Sequence, residues 1–410
     1  MTSWFGQTFA ALAFAPFRIL WLGTLTSFLA FFMSTVVNSV VAFELTGANR
    51  SVGAVIFAQG FAMLLLGPFG GATADRWPKR RVIAVGQGAT SAVFVALAAL
   101  VVSGGIAVAH LAASAFALGV CFAFVGPARQ ALVVDLVPTQ RRGNAMALAQ
   151  IANNASRVGG PAVAGALLAW DAVGATGAYL TMAVLYALAA ASLALLPRSH
   201  GRVGVATHVL ADVADGLRYV RDQSRLRILL LMFVAVVMAG FPYVAVMPGF
   251  VANQLGRGAE AISLLMGIAA SGGLLTSVLV ARYADAPRAR ALTSGLGTAF
   301  ALALCALASA PSYALAAVAS FALGAASGGF QTLASAVMIH ATEPAYTGRV
   351  MSLTMMAFAG FGVMGLPIGF LADAVGERGA LVAMGLAVGA AVAVSGLALA
   401  RLDARAGSVG

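Results

Sequence analysis

The chain has 410 residues, of which 61% are hydrophobic and only 9% are charged, and its mean hydropathy is +0.96. A soluble globular chain carries about 25% charged residues, so this composition excludes a soluble protein and indicates helices that cross a bilayer. The two cysteines, Cys121 and Cys305, lie inside apolar runs without ligand spacing, which predicts neither a disulfide nor a metal site, and no cofactor is expected.

Ten apolar runs are long enough to cross the hydrocarbon core, which takes about 20 residues. In chain order they are residues 19–43, 51–74, 82–128, 143–170, 172–197, 228–256, 261–281, 291–339, 350–372 and 380–400. Two runs have double length and carry a turn signal near the middle, at 103–105 and 310–312, so we predict an all-α membrane protein with twelve transmembrane helices. Residues 1–16 lack a basic region and are predicted to form an interfacial segment rather than a cleaved signal.

The positive charges lie mainly on one side of these predicted spans. With both termini on the same side, 20 of the 24 lysine and arginine residues fall in connections on that side, and only Arg50, Arg257 and Arg378 fall opposite. Because cations concentrate in cytoplasmic loops, both termini are predicted to be cytoplasmic. The net charge of +11 is therefore a topology signal that attracts anionic headgroups at most, and nucleic acid is disfavoured as a partner.

Short motifs recur in register along the chain. Residues 116–119 reappear at 321–324, and the pattern at 171–178 reappears at 373–380. These repeats predict two pseudo-symmetric six-helix bundles, at 1–197 and 228–410. Residues 198–227 between them are predicted to form an amphipathic linker helix at the cytoplasmic interface, the alternative being a flexible charged linker.

A short basic connection joins the second and third predicted spans. Its characteristic residues are Gly71, Asp75, Arg76, Lys79 and Arg80. This pattern resembles the loop signature of the major facilitator superfamily of secondary transporters, although Pro78 stands where that family more often has glycine. We expect a conformational latch here, with Arg129 and Asp135 as possible partners of Asp75; the alternative is a generic basic cytoplasmic loop.

The fifth predicted span contains Gly160, Pro161 and Gly165. Proline interrupts the backbone hydrogen bonds of a helix, and glycine permits close helix contact. The stretch is similar to the Gly-Pro-x-x-Gly-Gly signature of exporters in the same superfamily, with Ala164 in place of the first glycine of the final pair. That resemblance favours export over import.

Few polar groups lie at predicted membrane depth, where an ionisable residue is costly and its default interpretation is functional. Arg157 lies within a span, on one helical face with Asn153 and Asn154, and is a candidate for contact with a substrate anion or a proton-linked group. The alternative for Arg157 is a structural cation. Glu44, at the outer end of the first span, is a candidate proton carrier, although simple solvation is the preferred interpretation of its position.

The resemblance also implies which spans line a central cavity, namely the first, fourth, seventh and tenth. The candidate cavity contacts on these spans are Asn38, Phe241, Tyr243, Phe330 and Gln331. The alternative for each aromatic is a place in the core or against lipid.

Residues 17–23 and 126–132 resemble the branch of the family that contains enterobactin (siderophore) exporters and macrolide efflux proteins. The resemblance implies a monomeric multi-pass transporter of a bacterial cytoplasmic membrane, which exports a bulky amphiphilic small molecule by rocker-switch alternating access and proton antiport. The alternatives are an importer of a small metabolite and a non-transporting sensor or scaffold. An enzyme is disfavoured because the chain lacks His-Glu-x-x-His and any metal cluster.

Overall fold

The structure is a computed structural model that describes residues 10–197, 209–283, 286, 288–343 and 346–407. Within these ranges the side chains of residues 71–76, 209–213, 403 and 405–407 are outside the description. All regular elements in this part of the chain are helical, as the sequence predicts. The helices are α1 Ala15–Thr46, α2 Asn49–Arg76, α3 Lys79–Val102, α4 Val108–Asp135, α5 Arg142–Leu168, α6 Gly174–Ser192, α7 Val209–Asp222, α8 Ser224–Gly240, α9 Ala259–Ala281, α10 Ala289–Ser309, α11 Tyr313–His340 and α12 Thr347–Gly407.

Ten helices in the described part of the chain are long and apolar enough to cross a membrane. One of them, α12, is 61 residues long and is bent at Gly376, whose φ of 79° is a conformation that glycine adopts without the clash of a Cβ. Its length is enough for two crossings. The 27-residue α5 is also long enough to cross but is more polar. The protein is therefore a multi-pass membrane protein, while the count of twelve spans and the cytoplasmic termini remain predictions.

The chain forms two compact units. Unit 1 comprises Met1–Leu45 and Phe61–Thr207, and unit 2 comprises Thr46–Gly60 and His208–Gly410. Helix α2 thus contributes its first part to unit 2 and its second part to unit 1. The bundle limits expected from the internal repeats remain predictions.

Unit 1 has an aromatic core where α3 packs against α6. The Phe94 ring stacks on Tyr179 and Tyr186, with centroids 6.2 and 5.7 Å away. A second apolar cluster at the other end of these helices joins Phe17 and Leu148, both fully buried, to the start of α3. Stacked rings combine a large buried area with favourable ring geometry, so this core fixes α3 and α6 together.

Unit 2 is built on close pairs of helices, α9 with α11 and α8 with α12. The Phe233 ring of α8 stacks on Phe330 at 6.1 Å and meets Phe358 edge-on at 5.6 Å. Helix α8 ends in irregular turns: a 3₁₀ segment at Phe241–Ala245, a single turn and a π-helical segment at Phe250–Gln254. Such breaks release backbone groups from their helical partners and mark points where a helix bends.

The amphipathic helix α7 docks onto the start of α12 within unit 2. The Tyr219 ring stacks on Tyr346 at 4.1 Å, and the Arg349 guanidinium lies 3.5 Å from the Asp215 carboxylate. Residues 198–208 of the predicted linker helix lie outside the described part. Of the described part of that segment, the structure shows a helix over Val209–Asp222.

Candidate functional site

A cluster of charged and amide side chains joins the start of α2 to the bend of α12 in unit 2. It consists of Asn49, Arg50, Asn253, Gln254, Asp373, Glu377 and Arg378, and is called here the acidic cluster. The Asp373 carboxylate accepts hydrogen bonds from the backbone N–H groups of Asn49 at 2.8 Å and Arg50 at 3.2 Å. The first N–H groups of a helix lack internal partners and carry partial positive charge, so this carboxylate stabilises the beginning of α2.

Glu377 is the second carboxylate of the acidic cluster and is almost fully buried, with 6% exposure. Its Oε1 accepts hydrogen bonds from Asn49 Nδ2 at 3.2 Å and Asn253 Nδ2 at 2.7 Å. Its Oε2 accepts one from Gln254 Nε2 at 3.0 Å. A buried charge is tolerated only when it is hydrogen-bonded, and three amide donors meet that requirement here.

Arg378 ties the acidic cluster to the neighbouring turns of unit 2. Its Nε donates to Gln254 Oε1 at 3.0 Å, and its two terminal nitrogens donate to the carbonyls of Ala308 and Ala310 at 2.9 and 3.0 Å. The guanidinium thereby holds the π-helical end of α8 against the connection between α10 and α11. None of these roles was predicted from the sequence, where Asp373 is marked only by its place in a repeated motif.

Below the acidic cluster, α2 and α12 meet along five glycines: Gly53, Gly60, Gly362, Gly365 and Gly369, called here the glycine seam. A Cβ on Gly60 would lie 2.5 Å from the Cα of Gly362, and a Cβ on Gly369 would lie 2.7 Å from the Asn49 carbonyl oxygen. Small residues at a helix interface permit such backbone approach in membranes. The two helices therefore touch backbone to backbone at Gly53, Gly60, Gly362 and Gly369, while Gly365 packs against the Ile56 side chain.

The predicted latch is described only in part, because the side chains of Gly71, Asp75 and Arg76 lie outside the described residues. Its other members are in unit 1. Lys79 Nζ lies 2.6 Å from an Asp135 carboxylate oxygen, and its side chain is 13% exposed.

The other two latch candidates have partners within unit 1. Arg80 donates to the carbonyls of Leu196 at 2.6 Å and Ala194 at 3.1 Å. Arg129 is buried, and its guanidinium lies 5.0 Å from the Phe28 ring centroid. These contacts tie α3 and α4 to their own unit, and the latch function remains a prediction.

The structure places the predicted polar contacts of the first half in different surroundings. Asn38 is buried, and its Oδ1 accepts a hydrogen bond from the Tyr179 hydroxyl at 3.0 Å. Asn153 and Asn154 are half-buried on α5, whereas Arg157 and Glu44 are exposed. Asn38 therefore has a structural partner within unit 1, while the roles of the others remain predictions.

The predicted contacts of the second half divide in the same way. Phe241 meets Phe300 edge-on at 5.6 Å, and Phe330 is fully buried against Phe233. Tyr243 and Gln331 are half-buried. The two phenylalanines thus form part of the packed interior of unit 2, and the two polar side chains stay as the more accessible candidates.

The exporter-type stretch of α5 packs closely on α1 within unit 1. A Cβ on Gly160 would lie 2.6 Å from Phe32 Cβ, and Pro161 and Gly165 are both buried. The Ser156 hydroxyl donates to the Leu25 carbonyl at 3.2 Å along the same contact. Glycine at position 160 is therefore required by the approach of the two helices.

We expect Gly160→Ala to lower the apparent melting temperature of the purified protein, because the added methyl must push α5 away from α1. Overpacking of this kind costs about 1–3 kcal/mol. The matched control is Gly159→Ala, whose Cβ would meet only Leu29 Cδ1 at 3.4 Å, an ordinary contact. Equal melting temperatures for the two variants would contradict the close contact at Gly160.

Across the residues that the structure describes, no group of three or more His, Cys, Asp or Glu side chains could hold a metal ion. The two carboxylates of the acidic cluster instead accept hydrogen bonds from backbone N–H groups and amide side chains of the protein itself. Asn49 Oδ1 is buried and has no hydrogen-bond partner among the described residues. Its chemistry suits a contact that holds helices together.

Comparison with solved structures identifies the fold. A bacterial homolog to the human lysosomal transporter Spinster, in an inward-facing and occupied conformation, is 17% identical, with a TM-score of 0.75 over 93% of this chain and 97% of that chain. A mutant of the nucleoside transporter NupG is 13% identical, with a TM-score of 0.75 over 94% and 99%. A POT family transporter in complex with a thioalcohol-conjugated peptide is 11% identical, with a TM-score of 0.73 over 92% and 94%.

Sequence comparison agrees with the structural one. No curated protein matches the chain. The family profile described as Major Facilitator Superfamily, however, matches residues 20–363, which is most of the chain. On that match, and with the same fold in the solved transporters, the chain belongs to the major facilitator superfamily of membrane transporters.

Proposed function

We propose that this protein is a secondary transporter that exports a bulky amphiphilic small molecule, drug-like or siderophore-like, by rocker-switch alternating access with proton antiport. In this proposal twelve spans form two bundles at 1–197 and 228–410, joined by a linker at 198–227. Both termini are cytoplasmic, and a single copy works in a bacterial cytoplasmic membrane. The observation that carries the proposal is the contact of α2 with α12 through the glycine seam and the acidic cluster.

This contact has the properties of one that opens and closes. Apart from Ile56 against Gly365, the glycine faces meet through backbone atoms, so few side chains have to be withdrawn when the helices separate. The acidic cluster supplies the attraction through charge-assisted hydrogen bonds, which are strong and directional. When the helices part, water can take over the same donors and acceptors, so the free-energy difference between closed and open states stays within a few kcal/mol.

The direction of transport rests on the exporter-type stretch of α5, with Gly160 held against α1. Arg157, four residues before Pro161, is exposed and stands on the same helix as the half-buried Asn153 and Asn154. We place the polar contacts with cargo on this face. Glu44, exposed near the end of α1, is the proposed proton carrier of the first half.

An importer of a small metabolite is the second candidate, since the same fold also occurs in a nucleoside transporter. Cargo uptake measured in inside-out and in right-side-out vesicles that contain the protein distinguishes export from import. Export predicts uptake of cargo into inside-out vesicles, driven by an imposed proton gradient, and a cargo-dependent pH change in proteoliposomes. Uptake only by right-side-out vesicles would favour import, and no uptake in either would favour a sensor or scaffold.

Glu377→Gln is expected to open the contact between α2 and α12. A glutamine presents one acceptor oxygen and one NH₂ group, so at least one of the three amide donors would face another donor. Loss of charge-assisted bonds and one unsatisfied donor cost about 1–3 kcal/mol, which lowers the ratio of closed to open protein by about 5- to 150-fold. The readout is the alkylation rate of Ile56→Cys, a position buried against Gly365, in a protein whose Cys121 and Cys305 are changed to serine.

The control for this experiment is Glu260→Gln, which removes an exposed carboxylate from the first turn of α9. We expect alkylation at position 56 to rise about tenfold in Glu377→Gln and to stay unchanged in Glu260→Gln. An unchanged rate in Glu377→Gln would show that the acidic cluster does not hold this contact closed.

A further inference from the structure

Unit 2 contains a cavity of about 430 Å³ at the end of its helix bundle where α8 and α10 begin and α11 and α12 finish. Its lining comes from all four helices. Four polar side chains surround it, those of Gln223, Arg225, Arg290 and His340. It is separate from the acidic cluster, which lies at the far end of α8.

The cavity has a polar edge and an apolar floor. Arg225, Arg290 and His340 are exposed, whereas Leu226 and Val337 are buried, with 1% and 6% exposure. None of the described residues that line it is acidic. Arg225, Arg290 and His340 each have at least one interaction within the protein, so a bound anion would be an additional partner for them.

The position of the cavity relative to the membrane follows from the helices that form it. Arg225 lies in the first turn of α8, just ahead of the apolar run that begins at residue 228, and His340 is the last residue of α11. Both helices are long and apolar enough to cross the membrane, so their ends lie at the boundary between hydrocarbon and water. A phospholipid has its phosphate at this depth and its acyl chains directly below.

Charge and shape together select the occupant. Two arginines and an imidazole form charge-assisted hydrogen bonds with a phosphate. The partial positive charge at the first turns of α8 and α10 is offset in part by the partial negative charge at the end of α11, so the side chains provide the selection for an anion. Leu229 and Leu399 extend the lining with apolar surface, which suits glyceride carbons and is of no use to a free inorganic anion.

We propose that this cavity binds the headgroup of an anionic phospholipid from the surrounding bilayer. Arg225 and Arg290 contact the phosphate, Gln223 and His340 donate to its ester or glycerol oxygens, and the glyceride backbone lies against the half-buried Leu399. The bound lipid joins the ends of four helices that are far apart in the sequence, and it stabilises unit 2. This inference requires membrane insertion only and is independent of the direction of transport or the identity of the cargo.

The test is a titration of delipidated, purified protein with dioctanoyl phosphatidylglycerol, followed by native mass spectrometry and by thermal unfolding. We expect binding of this lipid, with a rise in melting temperature, and at least about tenfold weaker binding of dioctanoyl phosphatidylcholine. The double variant Arg225→Gln/Arg290→Gln should lose about 25-fold in affinity, since each cation near the lipid surface contributes about a factor of five.

Two further variants separate the cavity from general surface charge. Arg218→Gln/Arg221→Gln removes the same charge from the exposed face of α7, and we expect it to bind phosphatidylglycerol like the parent protein. Ala341→Phe fills the cavity and keeps the charge, and should weaken binding as the arginine double variant does.

Three results would overturn the proposal. Equal binding of phosphatidylcholine would show that the cavity does not select an anion. Competition by millimolar inorganic phosphate with no effect of Ala341→Phe would assign the site to free phosphate. Equal losses in the α7 control and in the arginine double variant would show diffuse surface attraction.

Discussion

Gly362→Val is expected to leave the protein folded and to reduce transport by roughly 100-fold. A Cβ at position 362 would lie 2.5 Å from Gly60 Cα, so the isopropyl group cannot fit while α2 and α12 are in contact. We take the penalty as about 3 kcal/mol, at the upper end of ordinary overpacking, because backbone rather than a flexible side chain stands in the way. That penalty lowers the ratio of closed to open protein by about 100-fold, and each transport cycle passes through closure.

The measurement is the initial rate of cargo uptake in proteoliposomes, together with the melting temperature of the same preparation. Gly396→Val on the same helix is the matched control, since a Cβ there meets no atom within 4 Å. We expect the control to transport at the parent rate. Parent-like transport by Gly362→Val would refute a closing seam, and a large loss of melting temperature would show permanent packing instead.

The helices could be predicted because the bilayer imposes one requirement that composition shows directly. A spanning helix must satisfy its own backbone and present apolar side chains over about 20 residues. The double-length run at 291–339 therefore appears in the structure as α10 and α11, separated at the predicted turn. The break between the runs 350–372 and 380–400 has a different form. Gly376 has a non-helical backbone conformation, but helix continues on both sides of it, so this break is a bend within α12.

Side-chain directions could not be predicted, and the physical reason is the same bilayer. Phe330 is fully buried and Leu231 is 60% exposed, yet both are apolar because protein core and lipid select the same residues. The periodic contrast that identifies the inner face of a soluble helix is thus weak here. For this reason the sequence could not distinguish Phe241 and Phe330, which are packed in unit 2, from cavity-facing aromatics.

The acidic cluster was missed for a different reason. Asp373 and Asn49 are 324 residues apart, and only the packing of α2 on α12 brings them together. A signal was nevertheless present, because Asp373 and Glu377 are two of 13 acidic residues in a chain where each such charge is costly near the membrane. The glycine seam left no such signal, since 47 glycines are spread over the whole chain.

Gly324→Val should have the largest effect on stability, because the contact of α9 with α11 is permanent packing within unit 2. A Cβ on Gly324 would overlap the Ala269 carbonyl, and one on Gly328 would lie 2.6 Å from the Gly273 carbonyl oxygen. Glycines of α11 lie against the backbone of α9, and glycines of α9 lie against the backbone of α11. Neither helix can therefore move to relieve the clash without losing the other contacts. We expect a cost above about 3 kcal/mol and little folded protein after purification.

Size-exclusion profiles and thermal unfolding in detergent measure this effect. The matched control is Gly267→Val on α9, where a Cβ meets nothing within 4 Å and valine has a higher helix propensity than glycine, so no loss of stability is expected. The contrast with Gly362→Val separates two kinds of glycine contact. A valine in the α9–α11 contact should unfold unit 2, whereas a valine in the glycine seam should leave a folded protein that cannot close. A folded, transport-competent Gly324→Val would contradict this distinction.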